Sequence, residues 1–200
     1  MITIIQTKPI KPVEIFINLY NKALNSEQKN IEAICISSYD VKSSQVESRF
    51  VNLKYIKGNQ WLFFSGYESP KSIQFENHPQ ISGLFYWSNI DVQIRIKAII
   101  KKADHVFSDN HFKIRDRAKN ALAISSKQSQ PIESYNKIIE NFNHINDSAL
   151  DLKNRPEYWG GYSFEPYYFE FWEGHESRLN KREVYEKNKN DEWRSYLLQP

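Results

Sequence analysis

The chain has 200 residues, 40% of them apolar, and its 27 Lys and Arg against 24 Asp and Glu leave a formal charge of +3. A chain of this length buries about 70% of the surface it exposes when unfolded, its ordinary globular composition excludes wholesale disorder, and a charge this small does not announce a nucleic-acid binder. One cysteine, Cys35, rules out an internal disulfide and a cysteine zinc site, and no apolar run approaches the roughly 18 residues of a membrane span, so the expectation is a cytoplasmic protein with no membrane partner.

Residues 1–11 show little periodicity and read as an N-terminal arm ahead of one domain over 12–200. From Pro12 the spacing of Ile15, Phe16, Leu19, Tyr20 and Ala23 predicts a helix with proline in its first turn. Strands are predicted over 31–38, 50–56 and 60–64, the last two joined by the turn Gly58-Asn59. Ser69-Pro70 predicts the cap and start of a short helix that ends near His78-Pro79. Strands follow over 81–87 and 91–101. In the second, Val92, Ile94 and Ile96 alternate with Gln93, Arg95 and Lys97. Ser108 reads as the cap of one helix from Asp109 to Ile124, and another is predicted over 133–142. The tail returns to strand over 161–172, 182–186 and 192–198. Six or seven antiparallel strands with three or four helices imply a mainly β fold with α, a β-barrel decorated by helices.

The familiar catalytic signatures are absent. There is no Gly-x-Ser-x-Gly elbow, no phosphate-binding glycine loop and no His-Glu-x-x-His. Three features are candidate anion sites. His111, Arg115 and Lys119 fall four residues apart, which stacks them along one face of the predicted helix. Lys71 lies in the first turn of the helix after Ser69-Pro70, where an anion is welcome and an unpaired cation is not. Arg49 and Lys54 bracket a largely apolar strand, and strict alternation sends them to opposite faces. Near the C-terminus, Trp172, Arg178 and Arg182 are close enough in sequence to line the mouth of an aromatic-walled pocket.

In their order, six segments resemble the pyridoxamine 5′-phosphate oxidase family. They are Arg49-Phe50-Val51-Asn52-Leu53-Lys54, the run Phe64 to Lys71, Gln93, the run Ser125 to Ser129, Tyr158-Trp159-Gly160-Gly161, and Glu170-Phe171-Trp172 followed by Arg178-Leu179-Asn180-Lys181-Arg182. The resemblance implies an antiparallel split β-barrel and a homodimer with flavin mononucleotide (FMN) at the interface. It also implies an FMN-dependent oxidase that converts pyridoxamine or pyridoxine 5′-phosphate to pyridoxal 5′-phosphate, with O2 as acceptor and H2O2 as product. By the same resemblance, FMN falls to Arg49, Phe50, Asn52, Lys54, Phe64, Ser65, Lys71, Gln93, Trp172 and Arg182, with Gln128 and Ser129 from the partner subunit. Substrate phosphate falls to Lys54, His111, Arg115 and Lys119, and Arg178 and Asn180 stand at the catalytic position over the substrate ring.

This chain departs from the family pattern at four of these positions. Pro70 replaces an arginine, and His111 and Lys119 replace a tyrosine and a serine. Asn180 replaces a histidine, and asparagine neither carries a proton nor becomes positive near neutral pH. Two alternatives therefore stand beside the oxidase. One is a divergent split-barrel flavoprotein acting on another substrate, and the other is a non-catalytic protein that binds FMN or pyridoxal phosphate.

Overall fold

The computed structural model describes residues 1–5 and 10–200. Among the described residues, ten strands form one sheet, running in sequence order as β1 (Thr3–Ile5), β2 (Ala33–Asp40), β3 (Gln45–Asn52), β4 (Tyr55–Lys57), β5 (Gln60–Gly66), β6 (Gln80–Trp87), β7 (Val92–Lys102), β8 (Trp159–Glu173), β9 (Lys181–Lys187) and β10 (Trp193–Leu198). Five α-helices interrupt them: α1 (Lys11–Asn25), α2 (Pro70–Asn77), α3 (His105–Ile114), α4 (Arg117–Ser125) and α5 (Tyr135–Asn146). Neighbours in the sheet run β1-β4-β5-β8-β7-β6-β2-β3, and β9 joins β8 to β10. The fold is the mixed α+β split barrel expected from sequence, although one pair, β1 on β4, is parallel.

The 15-residue β8 organises the sheet. It pairs with β7 on one edge, while its other edge is shared by β5 in the first half and β9 in the second. Pro166 lies in the middle of β8 and has no N–H to donate. The register slips there, with Lys97 opposite Tyr168 and Ala98 opposite Pro166, so the bulge absorbs the proline. In β7 the expected alternation holds: Val92, Ile94, Ile96, Ala98 and Ile100 are buried. Helix α1 lays Phe16 onto Trp61, Phe85 and Trp87, with ring centroids 4.5 to 5.5 Å apart, and this aromatic cluster is the centre of the core. Full burial of one such side chain stabilises the fold by about 1.5–3 kcal/mol.

Four expectations are corrected. The first five residues are not loose, because Ile2 is buried, its N–H donates to Tyr20 Oη at 3.0 Å, and β1 adds to β4; residues 6–9 of the expected arm lie outside the described residues. The strand expected over 50–56 is broken between Asn52 and Tyr55, where Leu53 turns fully into the core and its N–H reaches Glu32 O at 2.9 Å. Ser69 is the N-cap residue of α2, as expected, but its side chain makes no capping bond, since its hydroxyl donates to Gly66 O at 2.8 Å. Finally, the single helix expected over 109–124 is two helices. Asp104 caps α3 through Phe107 N, α3 ends at Ile114, and Asp116 begins α4. Among the described residues no helix is long and apolar enough to cross a membrane.

Gly161 is a position where close packing of neighbouring side chains demands glycine. A Cβ there would stand 2.9 Å from Ala103 Cβ and 3.1 Å from Phe64 Cε1, in the seam where Gly161 N donates to Ser108 Oγ at 3.1 Å. Gly161→Ala is expected to destabilise the protein by about 1–3 kcal/mol through overpacking, measured as a lower urea midpoint at unchanged slope.

Candidate active site

A cleft of about 1290 Å³ opens between the ends of β3 and β5, the start of α2, and the α3–α4 corner with the segment after it. Twelve of the residues singled out from sequence line it: Arg49, Phe50, Asn52, Phe64 and Ser65 from the sheet, Lys54 from the β3–β4 connection, Lys71 from α2, and His111, Arg115, Lys119, Gln128 and Ser129 from the opposite wall. The strand break at Leu53 brings Arg49 and Lys54 to one cleft despite the alternation rule. The helix break does the same for the other wall: His111 stands in the last turn of α3, Arg115 is extended and Lys119 rides on α4, so they converge without sharing a helix face. Asn120 holds that corner by donating to Phe112 O and Leu152 O, each at 2.9 Å.

The cations form two groups. In the first, Lys71 is 6% exposed, and its ammonium donates to Ser69 Oγ at 2.9 Å with no carboxylate paired to it among the described residues. Burial, followed by the charge of Arg49, pulls its pKa down to about 8. Arg49 is fixed by Ser38 Oγ at 2.6 Å, Glu47 at 2.9 Å and Gln74 Oε1 at 3.1 Å. In the second group, Lys54 meets Glu32 at 3.4 Å and Lys119 meets Asp116 at 2.5 Å. Arg115 stacks over Trp159 at 4.4 Å, and its Nη1 is buried without a hydrogen-bond partner. His111 lies parallel to Phe64 at 3.7 Å, and burial followed by Arg115, Lys54 and Lys119 pushes its pKa down to about 4. A buried, unpaired cation is costly, and both groups become favourable when an anion arrives. The residues present thus fit a flat ring bearing a phosphate at the Lys71 end and a second phosphate at the Arg115 end.

Five expected site residues stand elsewhere. Gln93, Trp172 and Arg182 face one another in register across β7, β8 and β9, outside the cleft of their own chain. Arg182 is held by Glu170, a carboxylate only 2% exposed, at 2.7 Å. Arg178 is exposed with φ of 59°, and Asn180 Oδ1 accepts from His175 N at 3.1 Å, which closes a turn. Arg178 and Arg182 therefore do not form the mouth of this chain's aromatic pocket, because the β8–β9 connection carries them away from it. Gln128 also differs from expectation. Its Oε1 accepts from Ser65 Oγ and Gly66 N of its own chain, at 3.0 and 2.9 Å, because the segment after α4 folds back over β5.

Sequence reasoning gave no role to Trp159 or Tyr55. Trp159 lies parallel to Phe64 at 5.4 Å, and Tyr55 Oη reaches His111 Nδ1 at 2.8 Å. Glu170 was legible in principle, since it shares a strand face with Trp172 and sits opposite Arg95, which it also binds at 3.0 Å.

Residues 159–200 match the family described as the pyridoxine 5′-phosphate oxidase C-terminal dimerisation region. Among solved structures, PhzG from Burkholderia lata, in complex with tetrahydrophenazine-1-carboxylic acid, superposes with a TM-score of 0.90 over 96% of this chain and 94% of its own, at 23% identity. A pyridoxamine 5′-phosphate oxidase-related, FMN-binding protein from Nostoc punctiforme gives a TM-score of 0.78 over 96% and 98%, at 15% identity. The pyridoxine/pyridoxamine 5′-phosphate oxidase of Leptospira interrogans is 30% identical over 193 residues, which cover 94% of this chain and 88% of that protein. With this identity across nearly the whole of both chains, and with the fold and cationic cleft described above, the chain belongs to the pyridoxine/pyridoxamine 5′-phosphate oxidase family.

Proposed function

We propose that this protein is an FMN-dependent oxidase of pyridoxamine and pyridoxine 5′-phosphate, active as a homodimer. The observation that carries the reading is the pair of cationic groups in one cleft: one holds the buried Lys71, whose ammonium bonds only a hydroxyl, and the other holds Arg115, whose buried Nη1 has no hydrogen-bond partner among the described residues. When bound, FMN supplies the hydride acceptor and passes the electrons to O2. Lys71, Arg49 and Ser65 hold its phosphate end, while Asn52, Phe64, Gln128 and Ser129 border the rest of its path. Arg115, Lys54, His111 and Lys119 bind the substrate phosphate and fix the ring, so that orientation rather than a protein nucleophile provides the acceleration. Gln93, Trp172, Arg182, Arg178 and Asn180 come to the cleft from the second subunit. The match of residues 159–200 to a dimerisation region supports that assignment, since four of the five lie within it.

Asn180 favours a second reading, oxidation of a different substrate in the same cleft, because it cannot exchange a proton with the substrate. Anaerobic reduction of the FMN-loaded protein separates the two. Pyridoxamine 5′-phosphate is expected to bleach the flavin, and a flavin that stays yellow with both phosphorylated vitamers overturns the oxidase reading. Asn180→His is expected to raise turnover about tenfold or more by restoring a group that moves protons. Unchanged turnover in steady-state assays favours the other substrate.

A further inference from the structure

One wall of the cleft is built around His111. Its ring lies flat on Phe64, with planes 11° apart, and meets Tyr55 edge-on at 5.4 Å and 86°. Tyr55 Oη stands 2.8 Å from Nδ1. Burial keeps that phenol protonated, so it donates to a neutral imidazole; it can equally accept from a protonated one without moving. The charges that act on the ring are Arg115, Lys54 from the β3–β4 connection and Lys119 from α4, all positive. The packed faces of β5 and β8 contribute only Phe64 and Trp159. Glu32 is engaged with Lys54 and Asp116 with Lys119, so neither carboxylate is free to charge the ring. Beside this ring, the unpartnered Nη1 of Arg115 lines the same cleft.

We propose that His111 is a proton-coupled phosphate ligand: when a phosphate monoester docks against Arg115, the imidazole takes a proton from solvent and donates a hydrogen bond to the phosphate. This rests on the reading of the cleft given above and adds to it. The free ring is neutral at ordinary pH, its pKa being about 4. A dianion beside it offsets three cations and raises that value, so docking consumes a proton between the free and the bound pKa. Affinity then falls as pH rises, by up to about tenfold per unit, until the bound ring also loses its proton. The second ionisation of the phosphate, near about pH 6, acts in the opposite direction, so the coupling is read above it. The tyrosine found here in the family resemblance donates a hydrogen bond but takes up no proton.

The test uses FMN-loaded protein with pyridoxal 5′-phosphate as the probe. Nitrogen-15 spectra at about pH 7 are expected to show one protonated nitrogen on His111 in the free protein and two in the complex. Calorimetry in buffers of unlike ionisation heat is expected to count roughly one more proton taken up per site than in His111→Tyr. A probe that binds in an Arg115-dependent manner while His111 stays neutral, with the proton count of His111→Tyr, overturns this inference alone. A probe that fails to bind, or whose affinity ignores Arg115→Ala, overturns both it and the proposed function.

Discussion

Arg115→Ala is expected to raise the Michaelis constant for pyridoxamine 5′-phosphate about 30-fold while leaving FMN affinity within about twofold. The first figure follows from a charge-assisted hydrogen bond of about 1.5–3 kcal/mol, at 1.4 kcal/mol per factor of ten. Arg115 is anchored by its stack on Trp159 and by donation to Lys119 O at 3.2 Å, which leaves Nη1 with nothing to bind until a ligand arrives. Arg115→Lys should recover only part of the loss, since an ammonium neither forks nor stacks as a guanidinium does. Steady-state kinetics and flavin-fluorescence titration read the two quantities separately. If both worsen together in Arg115→Ala, the α3–α4 corner serves the flavin phosphate and the two ends of the cleft have been assigned the wrong way round.

Lys71→Met is expected to produce the converse pattern, with FMN affinity reduced about 30-fold or more and the substrate Michaelis constant little changed once the protein is saturated with flavin. This prediction has a pH signature. Without FMN, Lys71 gives up its proton at a pKa of about 8, lowered by burial and by Arg49. A phosphate beside it favours the charged form and raises that value. Binding therefore takes up a proton above pH 8, and affinity falls with rising pH by up to about tenfold per unit until the complex also titrates. Dissociation constants measured from about pH 7 to 10 should show this slope in the natural protein and lose it in Lys71→Met. A slope that survives the substitution belongs to another group and contradicts the assignment. Pro70 sharpens the dependence on Lys71, because no arginine stands next to it to share the phosphate.

Periodicity made the central elements readable. Alternating Val92, Ile94 and Ile96 have one way to be buried, and the apolar stripe of α1 has one face to offer the sheet, so local pattern and tertiary packing agree. The breaks were harder to read. Residues 109–124 have adequate helix formers throughout, and what ends α3 at Ile114 is distant: Asn120 ties Phe112 O to Leu152 O, a partner 32 residues away. Leu53 leaves the strand because the core takes its side chain, and alternation within 50–56 carries no trace of that. Strand β1 depends on pairing with β4 across some fifty residues of chain, which three residues cannot announce.

The cations of the site were visible as residue types, and the ordered resemblance supplied their grouping. Their state was not visible. That Lys71 lacks a carboxylate, that Arg115 has an idle nitrogen and that His111 is held neutral are all consequences of burial, which depends on what packs around them. The separation of Gln93, Trp172 and Arg182 from the cleft was likewise hidden, since neighbouring strands bring them together on a surface of their own.

The most direct measurement is a crystal structure of the protein grown with FMN and pyridoxal 5′-phosphate together, read for the positions of the two phosphorus atoms. One is expected within hydrogen-bonding reach of Lys71, and the other against Arg115 Nη1 with His111 donating to the same oxygens. Two phosphates crowded onto one group, or a vitamer bound while Arg115 and His111 face only solvent, would contradict the assignment of one cleft to two anions.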